Sequence, residues 1–183
     1  MYAILKEASS MPRSYPAASP TANVVLRILI VLNWLVGAAF LALLVVAPNA
    51  QWIMSAYKLS PSPEAERLIF GLRVIVVLIL AMIPLNHIVL KRLRAIVETV
   101  RAGDPFVTAN AHRLRAIAWA LLAAQLLGFV IGAIAEALST SARPVDVDAG
   151  FSISGWLAVL LTFVLARVFT EGELMRQDLK GTI

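Results

Sequence analysis

Four long apolar runs constrain this chain more than any other feature: Val24–Ala47, Leu68–Leu90, Leu114–Ala137 and Phe151–Phe169. About 20 apolar residues carry a helix across the roughly 30 Å hydrocarbon core of a bilayer. In lipid, only a helix or a closed barrel satisfies its own backbone hydrogen bonds. Runs of this length, without strict alternation, predict helices. The expected fold is therefore all-α: an integral membrane four-helix transmembrane bundle, one membrane domain over residues 24–183. Composition agrees, since 15% of the residues are charged against about 25% in a soluble domain.

The segment before the first run, residues 1–23, is rich in Pro, Ser and Ala. Pro12, Pro16 and Pro20 interrupt any helix there, so a disordered leader is expected, ending in a helix cap at Thr21 or Asn23. The run Val24–Ala47 is about twice as long as a signal-peptide core, and no clean A-x-A site follows it. It reads as a retained span. Pro48 ends it, and Trp52 and Tyr57 in the next connection read as interfacial anchors. Pro84 is expected to kink the second span near one end. In the third span Ala120, Ala124, Gly128, Gly132 and Glu136 recur every four residues. In the fourth, Gly155, Ala158, Thr162 and Ala166 do the same. Such faces let helices approach closely in lipid.

The charge is concentrated between the second and third spans. Lys91 to Arg115 holds six cations (Lys91, Arg92, Arg94, Arg101, Arg113, Arg115) against Glu98 and Asp104. The other two connections hold few. Loop cations stay on the cytoplasmic side, so both termini are expected in the cytoplasm. The formal charge of +5 then reflects topology, with no direct nucleic-acid partner, and the charges alone require nothing further. The turn does. Gly103 suits the left-handed residue that closes a helix, Asp104-Pro105 forms a stop, and Thr108 or Asn110 can cap the next helix.

Helical spacing continues beyond two of the spans. Leu90, Leu93, Ile96, Val97 and Val100 extend the second helix, and Val168, Gly172, Met175 and Leu179 extend the fourth. These two cytoplasmic extensions are expected to pack on each other, with Arg94 or Arg101 meeting Glu171, Glu173 or Asp178. The candidate docking surface is Arg94, Arg101, Asp104, Asn110, Arg113, Arg115, Glu171 and Asp178. It would face an acidic cytoplasmic partner or anionic headgroups.

Catalytic patterns are missing. There is no P-loop, GxGxxG, HExxH, CxxC or GxSxG, and Ser152, Ser154 and Thr162 have no nearby His base. With no cysteine and two histidines, no metal, cofactor or enzymatic reaction is expected. Arg73 and Glu136, charges within or at the edge of spans, are expected to pair, because such groups are costly unless partnered. With Gln125 they could instead line a path, which makes a small transporter or permeability factor the alternative function. Asn33, Asn86, His87 and Gln125 suit hydrogen bonds between helices.

Two separated stretches carry a family resemblance. Gly103-Asp104-Pro105-Phe106, Asn110 and Arg113-Leu114-Arg115, followed by Phe169, Glu171-Gly172 and Asp178-Leu179, resemble the bacterial membrane proteins grouped as domain of unknown function 2975. The resemblance covers about Val24 to Ile183. It implies a four-span protein of the bacterial inner membrane with no assigned reaction. Members are often encoded beside a small helix-turn-helix regulator, which implies a regulatory pairing with such a protein. The resulting expectation is a non-enzymatic interaction protein that binds a cytoplasmic partner through residues 91–115 and its C-terminal tail. Its oligomeric state is open.

Overall fold

A computed structural model describes residues 20–46, 55, 62–139 and 151–181, with side chains at 21–45, 55, 62–139 and 151–175. The leader before Pro20, the anchors Trp52 and Tyr57, and the side chains of Asp178 and Leu179 lie outside the described residues. Four helices follow in order: α1 (Pro20–Val46), α2 (Pro63–Arg101), α3 (Thr108–Leu138) and α4 (Ile153–Gly181). All four are long and apolar enough to cross a membrane. The chain is a multi-pass membrane protein with an all-α bundle.

The helix ends follow from local sequence. Ser62 caps α2, its Oγ accepting from Ala65 N at 3.2 Å, and Pro63 takes the first helical position, where no N–H is needed. Ser152 caps α4 in the same way, accepting from Gly155 N at 3.1 Å. Phe151 and Trp156 stack across that cap, 6.4 Å between ring centroids, in the positions of a hydrophobic staple. α1 begins at Pro20, so Thr21 and Asn23 lie inside the helix and are not its cap. α2 runs unbroken through Pro84 for 39 residues, about 58 Å at 1.5 Å per residue. It outreaches the hydrocarbon core by well over ten residues, so the expected extension past Leu90 is present.

Consecutive helices are antiparallel neighbours. α1 packs on α2, α2 on α3 and α3 on α4. Among the described residues no other pair of helices comes within 8 Å between Cα atoms. The bundle is a row in chain order, and its outer helices α1 and α4 bury the least. This corrects one expectation. The extensions of α2 and α4 do not pack together, because α3 stands between them. Val168 and Met175 are exposed. The inward face of α4 is instead Val159, Ala166 and Glu173, all buried, with Phe169 and Thr170 beside them. Ala158, expected on the packing face, is exposed and Val159 takes its place.

Each seam has its own chemistry. Between α1 and α2, Gly37 admits Ile83, whose Cγ2 lies 3.1 Å from where a Cβ would be. Asn33 Nδ2 donates to Ile83 O at 3.1 Å, a hydrogen bond that ties α1 to α2. Trp34 Nε1 donates to His87 Nδ1 at 3.2 Å. Between α2 and α3, Ile75, Ile131 and Ala135 form the core with Leu78, Ile79 and Met82 against them. Gly128 meets Met82 there at 3.9 Å. Between α3 and α4, Gln125 lies directly on Gly155, and Trp119 meets Phe163 edge-on at 5.4 Å. The expected interhelical hydrogen bonds of Asn33 and His87 are therefore present, whereas Gln125 meets α4 by close packing on Gly155.

Candidate functional site: the polar knot at the α2–α3 reversal

Beyond the apolar run of α2 the chain reverses within six residues. Ala102 N donates to Glu98 O, Gly103 N to Val100 O and Asp104 N to Thr99 O, each at 3.1 Å. The last two are the paired bonds of a Schellman motif closed by a left-handed residue. Gly103 supplies that residue, with φ +81°. No atom lies within 4 Å of the position its Cβ would take, so backbone conformation alone selects glycine there. Pro105 follows and prevents the helix from resuming.

The next helix starts differently from expectation. Its cap position is Val107, which provides no side-chain bond. Thr108 and Asn110 are the first and third helical residues, and their side chains are used elsewhere. Asn110 is fully buried. Its Nδ2 donates to Thr99 Oγ1 at 2.7 Å and to Pro105 O at 2.8 Å. Its Oδ1 accepts from Arg113 Nη1 at 2.8 Å. Arg113 Nη1 also donates to Ala95 O at 3.0 Å, and Thr99 Oγ1 donates on to Ile96 O at 2.8 Å. A buried amide with both N–H groups and its oxygen used fixes the two helices at one register.

α4 joins the knot through the loop and the start of α3. Phe106 lies 5.3 Å from Phe169 between ring centroids, and the bare backbone of Gly172 leaves room for the Phe106 ring edge. Thr108 Oγ1 donates to Glu173 Oε1, which is nine-tenths buried. Phe106, Asn110, Arg113, Phe169 and Gly172 thus come together, although some 60 residues separate the two stretches. Thr99, Thr108 and Glu173 complete the set and are not in the expected docking surface. For Glu173 a signal was present in the sequence: Ala166, Phe169, Thr170 and Glu173 fall at helical spacing, whereas Glu173 was expected to meet Arg94 or Arg101.

The other expected residues disperse. Arg94 pairs with Glu98 one turn along its own helix, at 3.1 Å. Glu171 pairs with Arg167 at 3.0 Å, as its spacing suggests. Arg101 and Arg115 are exposed beside the knot, and Asp104 is half-buried. Arg73 and Glu136 lie far from it, at the opposite end of the α2/α3 seam, level with the contact between Gly71 and Leu138. Among the described residues no cluster of three or more His, Cys, Asp or Glu side chains could hold a metal ion.

Residues 48–183 match the family model described as "Protein of unknown function (DUF2975)". The match begins after α1, where the resemblance was expected from Val24, and includes the whole knot. No curated protein and no solved structure matches the chain.

Proposed function

We propose, on the premise that this chain belongs to the DUF2975 family, that it is a membrane-held interaction protein. It displays its α2–α3 reversal and the adjoining part of α4 to a cytoplasmic partner. In this reading the membrane is the bacterial inner membrane, both termini face the cytoplasm, and the partner is an acidic protein surface such as that of a small helix-turn-helix transcriptional regulator. No catalytic step is involved.

The observation that carries the reading is the construction of the knot. A loop that serves only to reverse the chain outside a bilayer needs no buried amide, no aromatic contact to a third helix and no carboxylate latch. Here all three hold the reversal rigid, while Arg101 and Arg115 beside it stay exposed. Rigid display of cations gives register and electrostatic steering to a partner. Gln125, the polar residue that a transport path would use, is lodged against Gly155 in the α3/α4 seam, which weighs for the interaction reading over transport.

The test is co-purification of the full chain, in detergent, with the product of any helix-turn-helix regulator gene adjacent to its own. Retention of the regulator by wild type, and its loss in Arg101→Glu/Arg115→Glu with an unchanged gel-filtration profile, is the expected result. No complex with wild type, together with unchanged regulator activity in a deletion strain, refutes the proposal.

A further inference from the structure

Below the knot, on the same seam, α2 and α3 part to leave a cleft of about 680 Å³. Its walls divide by depth. Lys91, Arg92 and Arg113 line the end nearer the knot, and Leu85, Ile88 and Ala120 line the deeper end. Leu85 is six residues before Lys91, about 9 Å further into the apolar zone at 1.5 Å per residue. No acidic residue lines the cleft. The nearby acid Glu98 is already paired with Arg94.

The cations are prepared for an anion. Arg113 is fixed by two neutral acceptors, Asn110 Oδ1 and Ala95 O, both through Nη1. It keeps its full charge and its other N–H groups. His87 also lines the cleft. Its Nδ1 accepts from Trp34, so in its neutral form the proton sits on Nε2, as a further donor. Trp119, exposed and braced edge-on against Phe163, lines the cleft at the depth of its neighbour Ala120.

We propose that this cleft binds one anionic phospholipid, its phosphate headgroup held by Lys91, Arg92 and Arg113 and its acyl chain laid along Leu85, Ile88 and Ala120. The pairing of a basic mouth with an apolar floor matches an amphiphile in both charge and depth. A soluble acidic peptide would use the mouth and leave the floor unfilled. The site is separate from the outward cations Arg101 and Arg115, so it stands whether or not a cytoplasmic partner exists.

The test uses full-length protein in a neutral detergent, titrated with phosphatidylglycerol, phosphatidylcholine or inorganic phosphate. Native mass spectrometry counts bound lipid. Wild type should retain one phosphatidylglycerol and no phosphatidylcholine, and millimolar phosphate should not displace the lipid. Lys91→Gln/Arg92→Gln removes two exposed cations without touching the knot. It should weaken retention on the order of thirtyfold, as expected for two headgroup-level charges. The control Arg101→Gln/Arg115→Gln removes the same charge outside the cleft and should retain the lipid. Unchanged retention in Lys91→Gln/Arg92→Gln overturns the proposal, as does equal loss in both double variants. Displacement by phosphate alone also overturns it, because the acyl chain would then contribute nothing.

Discussion

Asn110→Ala is the sharpest perturbation of the knot. The side chain is fully buried and makes three hydrogen bonds, to Thr99 Oγ1, Pro105 O and the Arg113 guanidinium. A neutral bond contributes about 1 kcal/mol net and a bond to a charged group about 1.5–3 kcal/mol. Two partners keep an alternative: Thr99 still donates to Ile96 O, and Arg113 still donates to Ala95 O. Pro105 O is left without this donor. Weighing these, Asn110→Ala should cost roughly 3 kcal/mol. Asn110→Asp separates geometry from charge. It keeps the bond from Arg113 and gains attraction there, but it presents an acceptor to the carbonyl of Pro105. It should recover only part of the loss. Reversible unfolding in mixed detergent gives the free energies, and limited trypsin digestion at exposed Arg101 reports the local opening. A cost below about 1 kcal/mol for Asn110→Ala, a small fraction of the bonds removed, or wild-type stability in Asn110→Asp, would refute the claim that this amide sets the register of α2 against α3.

Three further outcomes follow from the same structure. Gly103→Ala should cost about 1–2 kcal/mol in the same unfolding assay, purely from the left-handed backbone, and Gly103→Asn should cost less. Because the chain has no native cysteine, engineered pairs can be read cleanly: Thr108→Cys/Glu173→Cys should form an intramolecular disulfide under mild oxidation, seen as a gel shift, whereas Ile96→Cys/Met175→Cys should not. Gly155→Ala places a methyl against the Gln125 amide and should lower the melting temperature, and Gln125→Ala in the same chain should restore most of the loss if close approach at that point is the whole reason for the glycine.

Much of the knot was visible in sequence as separate marks. Gly103-Asp104-Pro105 announced a helix stop, because only a residue without Cβ takes φ +81° at no cost. Glu171 was expected to meet Arg94 or Arg101, and its pair is instead Arg167, one turn back on its own helix. Asn110 was noticed, but as a cap. A short amide near a helix start usually bonds to its own backbone, and only the position of α2 shows that this one bonds across the seam. The expected contact between Val97 or Val100 and Met175 failed for a related reason. Helical periodicity identifies an apolar stripe but not its orientation toward neighbours, and here α3 takes the place between the two stripes.

The amino-acid sequence by itself determined the class of this protein, its four spans and the charged reversal between the second and third. Those properties are set by run length and loop charge against a slab of hydrocarbon, which acts on each segment separately. The tertiary structure decided which helices are neighbours, which face of α4 turns inward, and that Phe106, Asn110 and Thr108 meet Thr99, Phe169 and Glu173. Those properties depend on the close fit of particular side chains across a seam. Residues some 60 positions apart leave no local mark of that fit until the helices are laid side by side.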